Sequence, residues 1–223
     1  MEDPIQRHPT RSEQLDLLAT VMADAAARAG KTPVRILDLG CGTGYFAHRL
    51  MRRAPGLDFT GVDLSGDALA AASENLAGLD GNFTGVTGNL MEPESIELPG
   101  APYDLACTCL TFHDLTDPGK QAVIAWVARH LAEGGLFFIY DRVRLTEAAL
   151  FPLQQSIWAR IEDLHGRGMR TADSFEAYLS DLGQGNDPGA FEDYLRWYRE
   201  AGFSPACLHL HGNVALFAGA RSA

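Results

Sequence analysis

Residues 36–46 decide the fold of this chain and read Ile-Leu-Asp-Leu-Gly-Cys-Gly-Thr-Gly-Tyr-Phe. They continue a short, mainly apolar run over residues 34–39, which predicts a buried strand. A loop follows with glycine at every second position from Gly40 to Gly44, and apolar residues then recur at helical spacing from Phe46. A strand, a glycine loop and a helix in this order predict a small-ligand site where the ligand meets backbone N–H groups.

The spacing of the glycines distinguishes between two kinds of ligand. A dinucleotide-binding loop needs the order Gly-x-Gly-x-x-Gly. Here the third glycine, Gly44, comes one residue early, and Tyr45 stands where the dinucleotide pattern has its last glycine. An NAD-dependent dehydrogenase is therefore disfavoured.

Residues 38–44 resemble the first motif of the class I S-adenosylmethionine-dependent methyltransferases, in which an acidic residue precedes Gly-x-Gly-x-Gly. The resemblance covers about residues 34–141 well and residues 190–219 moderately. It implies an α/β fold: a Rossmann-like, mainly parallel seven-stranded sheet with helices on both faces and a terminal antiparallel hairpin. It also implies S-adenosyl-L-methionine as cofactor, with S-adenosyl-L-homocysteine as product.

Apolar patterns along the chain predict the same alternation of strands and helices. The predicted strands span residues 34–39, 57–64, 83–86, 103–110, 136–140, 205–210 and 214–218. The predicted helices outside the glycine loop span residues 11–29, 66–77, 118–132 and 190–201. Residues 142–189 fit neither pattern and predict a helical lid insertion with helices over 145–165 and 173–182. We therefore expect one domain over residues 1–223.

Bulk properties limit the class of protein. The chain has 223 residues, 46% of them hydrophobic, and a net charge of −11. An acidic surface repels phosphates, so nucleic acid is not expected as a partner. No apolar run approaches the ~20 residues of a membrane span, and the first residues do not resemble a signal peptide. These features predict a cytoplasmic protein with a small-molecule acceptor and no membrane partner. They do not decide whether the protein is a homodimer. The four cysteines lack metal-site spacing, so no metal is expected.

The methyltransferase resemblance assigns cofactor contacts to ten residues: Asp38, Gly40, Cys41, Gly42, Gly44, Asp63, Leu64, Asn89, Leu90 and Cys109. It implies that Asp38 faces the cofactor's ammonium group and that Asp63 accepts hydrogen bonds from both ribose hydroxyls. Asp63 lies 19 residues after Gly44, close to the spacing of a ribose-binding acid. Leu64 would pack on the adenine. Asn89 stands where relatives usually have an acidic residue, and its amide oxygen can accept the same bond.

The acceptor is expected over the transferred methyl group, beneath the N-terminal helix and the lid. The expected substrate contacts are Phe112, His113, Tyr140, Arg144 and Trp158. His113 is the candidate catalytic base because histidine can exchange a proton near neutral pH, and a packing role for it is the alternative.

The composition of the lid bears on the kind of acceptor. Four aromatic residues stand in it, Phe151, Trp158, Phe175 and Tyr178. Arginines occur at positions 142, 144, 160, 167 and 170. Guanidinium groups beside aromatic rings favour an anionic acceptor. The alternative is that the aromatic residues form core and the arginines a solvated face.

Two functions remain open at this stage. The first is methyl transfer to an oxygen, nitrogen or carbon of a small organic molecule, with an anionic molecule as the narrower expectation. The second is a non-methylating protein of the same fold, such as a cyclase or a carboxy-S-adenosylmethionine synthase-like enzyme, which residues 194–218 resemble distantly. Trp197 stands where those synthases have their carboxylate-binding arginine, and Arg196 and Arg199 are out of register. A nucleic-acid methyltransferase is disfavoured because residues 109–112 read Cys-Leu-Thr-Phe instead of the Asn/Asp-Pro-Pro-Tyr/Phe signature.

Overall fold

A computed structural model of the protein describes residues 10–166, 168, 171–183 and 185–222. The strands are β1 (Val34–Leu39), β2 (Leu57–Asp63), β3 (Gly81–Thr87), β4 (Tyr103–Cys109), β5 (Leu131–Arg142), β6 (Phe203–His211) and β7 (Val214–Arg221). The helices are α1 (Arg11–Arg28), α2 (Tyr45–Met51), α3 (Gly66–Leu76), α4 (Asp117–His130), α5 (Phe151–His165), α6 (Phe175–Ser180) and α7 (Phe191–Glu200).

The seven strands form one sheet in the order β3-β2-β1-β4-β5-β7-β6. Strands β1 to β5 pair in parallel, and β7 runs antiparallel to both β5 and β6. This arrangement confirms the predicted fold, including the terminal antiparallel hairpin. The strand order reverses between β1 and β4, so both strands leave a crevice at their carboxyl ends, where open α/β sheets bind ligands.

Helices cover both faces of the sheet and bury two apolar clusters. The cluster beneath α4 and α7 includes Trp126, Tyr194 and Phe217, and the cluster on the other face includes residues of α1, α2 and α3. Helix α1 buries Leu15, Leu18, Ala19, Met22 and Ala26, the positions that its helical spacing predicts. Among the described residues, no helix is both long and apolar enough to span a membrane.

Several predicted boundaries are wrong by a few residues. Strand β5 begins at Leu131 and continues through Gly134 and Gly135, whereas the sequence predicts a start at residue 136. The two glycines mark an irregularity in pairing with β4, and a Cβ at Gly135 would lie 2.9 Å from the Ala132 oxygen. The glycine pair therefore bends the strand and does not precede it.

The lid, residues 142–189, contains α5 and α6 and has a small apolar cluster of its own. Phe151, Trp158 and Tyr178 form the centre of that cluster, and Phe175 packs against it. Helix α5 begins at Phe151, later than the predicted residue 145, with Pro152 in its first turn. The aromatic residues are thus mainly core, as the alternative interpretation predicts. Arg167 and Arg170 lie outside the described residues.

A buried lysine attaches the end of the lid to the sheet domain. The ammonium group of Lys120 has no solvent exposure and donates to the Asp187 carbonyl oxygen (2.5 Å), the Leu115 carbonyl oxygen and Asp117 (3.2 Å). Burial lowers the pKa of Lys120, and the facing Asp117 and Asp187 oppose this effect. Arg144 also pairs with Asp117 (3.0 Å) and Asp187 (3.5 Å).

Replacing Lys120 with methionine is expected to loosen residues 185–189 because two backbone oxygens, one of them that of Asp187, lose their donor. The unfolding free energy should fall by about 2–4 kcal/mol, typical for loss of one partner of a buried charged group. Urea denaturation measures the loss, and limited proteolysis locates it in the lid. Arg199→Met, an exposed substitution on α7, is the control and should change neither measurement. Unchanged stability in Lys120→Met would contradict the attachment.

Candidate cofactor and acceptor site

A cavity of about 340 Å³ lies at the switch point between β1 and β4. Its walls come from the glycine loop after β1, from residues 109–111 after β4, and from Arg11 and Leu15 of α1. Tyr45, Phe46 and Ala68 complete the lining. The cavity thus occupies the place where the topology predicts a ligand, and α1 closes one side of it.

The glycine loop brings bare backbone to this cavity. Gly40 has a φ of +70°, and a Cβ there would lie 2.3 Å from Oγ1 of Thr111. Gly42 has a φ of +53°, and a Cβ on it would meet no atom within 4 Å. Gly40 is therefore required by the close approach of the β4 loop, whereas Gly42 leaves open space toward the cavity.

Asp38 contributes a buried carboxylate to the same cavity. Its side chain is 2% exposed, and Oδ1 accepts a weak hydrogen bond from the Cys107 thiol at 3.5 Å. Oδ2 is buried without a hydrogen-bond partner in the described part of the chain. Burial raises the pKa of Asp38 to about 7, the Cys107 contact lowers it, and the nearby Asp63 charge raises it. A cationic ligand group in the cavity would satisfy the vacant oxygen and hold the carboxylate ionised.

Asp63 ends β2 beside the glycine loop. Its Oδ2 accepts the Gly42 N–H at 2.8 Å, and its Oδ1 accepts the Ser65 N–H at 3.0 Å. Each carboxylate oxygen retains further acceptor capacity, so ribose hydroxyls could bind alongside these bonds. The carboxylate also fixes the loop relative to β2, a role that sequence spacing alone does not reveal.

The residues after β2 and β3 differ in what they offer a ligand. Leu64 is 71% exposed, which is unusual for a large apolar residue and leaves its surface open for a flat ring. The Asn89 side-chain oxygen accepts the Met91 N–H at 3.0 Å, and Leu90 packs in the core. Five predicted cofactor residues line the cavity itself: Asp38, Gly40, Cys41, Gly42 and Cys109. Gly44 instead begins α2 and lies close to Ala72 of α3.

A second cavity, of about 450 Å³, shares Arg11 and Leu110 with the first. It extends beneath the lid, where Trp158, Tyr178 and Asn186 line it together with Gln14 and Arg142. A volume of this size suits a small organic molecule. We call the two spaces the cofactor cavity and the acceptor cavity.

Leu110 stands between the two cavities in an unusual backbone conformation. Its φ of +58° is positive, and no other non-glycine residue in the described ranges has a positive φ. Its N–H donates to the Tyr140 carbonyl oxygen at 2.9 Å, which holds the chain in this turn. Non-glycine residues in the left-handed region cost about 1–2 kcal/mol and are concentrated at functional sites.

The structure places three of the predicted substrate contacts outside the described lining of both cavities. Phe112 is fully buried and packs edge-on against Phe137 in the core, so its ring has no surface for an acceptor. Tyr140 is 1% exposed, and its hydroxyl lies 3.2 Å from Nδ1 of His209. Arg144 is held by its two ion pairs in the lid attachment. Trp158 does line the acceptor cavity, and so does Arg142, which the sequence indicates only as one of five lid arginines. Arg11 and Gln14 also line it, and no sequence pattern indicates them.

His113 forms a buried pair with Asp141. Nδ1 of His113 lies 2.7 Å from Oδ1 of Asp141, whose other oxygen accepts the His113 N–H at 3.1 Å. Burial tends to raise the pKa of Asp141, but His113 and two backbone N–H groups outweigh it and the pKa is lowered. Nε2 of His113 faces Asp114 at 3.5 Å, and the ring is absent from the described lining of both cavities. The pair therefore joins the end of β5 to the turn after β4.

Potential metal ligands do not gather anywhere in the described part of the chain. No group of three or more His, Cys, Asp or Glu side chains lies close enough to hold an ion. Three thiols lie at or near the cofactor cavity, and burial raises the pKa of Cys41, Cys107 and Cys109 well above the ordinary thiol value. These thiols are therefore neutral packing groups.

An α/β sheet with a glycine-loop cavity at its switch point is typical of nucleotide- and cofactor-binding proteins. Among the families of that class, residues 36–135 match the one described as a methyltransferase domain. A malonyl-[acyl-carrier protein] O-methyltransferase from Anoxybacillus flavithermus is 30% identical over 60% of this chain and 50% of that enzyme.

Solved structures show the same fold. An O-methyltransferase family protein from Burkholderia thailandensis aligns with a TM-score of 0.64 and 18% identity, over 92% of this chain and 57% of that one. PigF with SAH aligns with a TM-score of 0.55 and 18% identity, over 83% of this chain and 50% of that one.

The family match over residues 36–135, the curated relative and the shared fold together support a class I S-adenosylmethionine-dependent methyltransferase. The glycine loop, Asp38, most of β1 and strands β2 to β4 fall within the matched residues 36–135. The alignments span 29%, 32% and 50% of the length of three curated relatives, less than two thirds in each. The lid, the terminal hairpin and most of the acceptor cavity lie outside the family match.

Proposed function

We propose that this protein transfers a methyl group from S-adenosylmethionine to an oxygen, nitrogen or carbon of a small organic molecule in the cytoplasm. One observation carries the proposal: a cavity lined by the glycine loop and the acidic Asp38 adjoins a second cavity across Leu110 and Arg11. Methyl transfer needs such an arrangement, because donor and acceptor must meet in line.

The residues present suit this cofactor. The vacant Asp38 oxygen is a partner for an ammonium group, the Asp63 carboxylate can accept ribose hydroxyls, and the exposed Leu64 can pack on adenine. The bound cofactor supplies a methyl group already activated by the positive charge on sulfur. In transfer, the carbon–sulfur bond breaks with its electron pair going to sulfur, and the acceptor atom forms the new bond to carbon.

The chain's own contribution is then positioning and exclusion of water. The glycine loop and Asp63 hold one reactant, the lid and α1 enclose the other, and the fixed turn at Leu110 sets their separation. The net charge of −11 supports a small molecule and not nucleic acid as acceptor. A proton released by a hydroxyl or ammonium acceptor leaves to water or to a nearby base.

The role of His113 can be tested separately. Because Asp141 binds Nδ1 of His113 at 2.7 Å and the ring lines neither cavity in the described part of the chain, we propose a positioning role, in which His113 keeps the β4 turn in place. His113→Asn should lower the unfolding free energy by about 1–3 kcal/mol and leave the pH profile of kcat unchanged. If the His113→Asn variant keeps its stability but its kcat no longer rises with pH as that of the wild type does, His113 is instead the catalytic base.

Methyl transfer is tested with cofactor labelled in its methyl carbon and a panel of metabolite acids, phenols and amines. Label should move to an acceptor, with S-adenosylhomocysteine formed in equal amount. Label retained on the cofactor skeleton through turnover would support the non-methylating alternative. The structure offers no support for that alternative at α7, since Arg196 pairs with Asp193 and Glu200 at the surface and Trp197 is 3% exposed.

A further inference from the structure

Two arginines at the end of β5 have different surroundings. The guanidinium of Arg144 is neutralised by Asp117 and Asp187. The guanidinium of Arg142 lines the acceptor cavity and donates from Nη1 to the Asn186 amide oxygen at 3.1 Å. No carboxylate of the described residues forms an ion pair with it, and the bond to a neutral amide leaves most of its five N–H donors for other partners.

The acidic side chains near this charge form no ion pair with it in the described part of the chain, although Asp114 interacts with Arg142 electrostatically and Asp173 and Asp181 line the same cavity. Asp181 accepts the Asn186 side-chain N–H at 3.3 Å, and Asp173 is exposed on the rim of the lid. Asn186 therefore stands between Arg142 and Asp181 and holds the guanidinium in place by its oxygen. A fixed arginine with open donors is the usual partner of a carboxylate, which it can bind through two parallel hydrogen bonds.

Gln14 lines the acceptor cavity and carries a buried side-chain amide. Its side chain is 2% exposed, and Nε2 donates to Oγ1 of Thr10 at 2.7 Å. Oε1 of Gln14 is buried with no hydrogen-bond partner in the described part of the chain. A buried amide oxygen left unpaired costs about 1–3 kcal/mol, so a ligand that donates a hydrogen bond there gains affinity.

The position of Gln14 indicates which end of the acceptor meets it. Arg11 and Leu15, on either side of Gln14 in the first turns of α1, both line the cofactor cavity. Arg142 lies at the end of β5, opposite the hairpin residue Val214, and joins the lid through Asn186. The Gln14 amide and the Arg142 guanidinium can therefore bind different parts of one molecule. The part that binds Gln14 would lie beside the cofactor cavity.

We propose that the acceptor is a small organic acid that also bears a hydroxyl or amino group. Arg142 binds its carboxylate, and Oε1 of Gln14 accepts a hydrogen bond from the hydroxyl or amino group. This inference rests on the proposed function, since it assumes that the cavity beneath the lid receives the methyl acceptor. It also favours oxygen or nitrogen over carbon as the methylated atom, because the donor group lies on the cofactor side.

Direct binding tests this proposal without turnover. The probes are 4-hydroxybenzoate, 4-aminobenzoate and 3-hydroxypropanoate, each compared with its methyl ester and with the parent acid that lacks the donor group. Affinities are measured by calorimetry and ligand-observed NMR on protein saturated with S-adenosylhomocysteine. We expect at least one acid to bind about 10-fold or more tightly than both its ester and its parent acid.

Two substitutions separate the contributions. Arg142→Met should abolish the preference for acid over ester while keeping the preference for hydroxyl or amino group over parent acid. Gln14→Met should abolish the preference for the hydroxyl or amino group over the parent acid while keeping the preference for acid over ester. Arg199→Met removes an equal charge from exposed α7 and should retain both preferences. Urea denaturation and S-adenosylhomocysteine affinity, unchanged in each variant, exclude misfolding.

The outcomes distinguish the two levels of proposal. Esters binding as tightly as every acid, or an acid preference that survives Arg142→Met, would overturn the carboxylate assignment and leave methyl transfer standing. A hydroxyl preference that survives Gln14→Met would overturn the donor assignment. Failure of the wild-type protein to bind S-adenosylhomocysteine would overturn the proposed function before any acceptor is tested.

Discussion

Replacing Asp63 with alanine is expected to weaken S-adenosylmethionine binding by about 100-fold or more. The variant loses an ionised acceptor for two ribose hydroxyls, and hydrogen bonds to charged groups contribute about 1.5–3 kcal/mol each. It also releases the Gly42 N–H, which the Asp63 carboxylate holds at 2.8 Å. Both losses act on the same ligand, one directly and one through the shape of the glycine loop. Titration calorimetry with S-adenosylmethionine and S-adenosylhomocysteine measures the change.

Asp67→Ala provides the matched control. Asp67 is an exposed acid in the first turn of α3, four residues beyond Asp63, and its removal changes the net charge equally. Its affinity for the cofactor should stay within about twofold of wild type, because the helix-dipole contribution is only about 0.3–1 kcal/mol to folding. A cofactor affinity retained by folded Asp63→Ala would refute the assignment of the ribose site.

Asp38 is expected to make cofactor binding depend on pH. With a pKa raised to about 7 by burial, the carboxylate is mostly neutral at pH 6 and mostly ionised at pH 7.5. Since a cationic ammonium group prefers the ionised form, affinity should rise by about 8-fold between these two pH values. Both pH values lie below the reference pKa of about 7.7–8.0 for α-amino groups, so the ammonium group of the cofactor stays mainly charged over this range. Asp38→Asn should bind weakly and lose this slope, whereas Asp67→Asn should retain it.

The same residue should affect the stability of the cofactor-free protein in the opposite sense. Because the folded pKa of about 7 lies above the ordinary value of 3.8, the folded state holds the proton more tightly. The unfolding free energy therefore falls as pH rises from about 4 to 7, by up to about 4 kcal/mol. Asp38→Asn should remove this loss and be more stable than wild type at pH 8.

Urea denaturation from pH 5 to 8 checks this second expectation. A wild-type protein whose stability is flat across that range, or an Asp38→Asn variant less stable at pH 8, would contradict it. Saturating S-adenosylmethionine should restore the wild-type stability at pH 8 and have little effect on the variant, since binding stabilises a fold by mass action.

The sheet domain could be predicted from patterns among neighbouring residues in the sequence. Strand β1 and the glycine loop were predictable because burial, backbone freedom and helix spacing are properties of adjacent residues. Boundaries were less accurate where pairing between distant strands decides them. Strand β5 starts at Leu131 because Leu131 pairs with Tyr103 of β4, and no neighbour in the sequence specifies that contact.

The candidate site divides in the same way. Asp38, Gly40 and Gly42 line the cofactor cavity because they stand at the carboxyl end of one strand and in the loop directly after it. The position of Phe112 after β4 suggests the cavity, whereas its ring packs in the core against Phe137. Arg142 and Arg144 look equivalent in the sequence, and only the positions of Asp117 and Asp187 show which one is neutralised.

The sequence by itself thus determined the class of domain and its cofactor, because the glycine spacing and the acids at 38 and 63 form local, one-strand signals. Tertiary structure alone decided what faces the acceptor. Arg11 and Gln14 come from the first helix, Arg142 from the fifth strand and Asn186 from the end of the lid. Such a set is assembled by packing between segments distant in the chain, and no spacing rule connects its members.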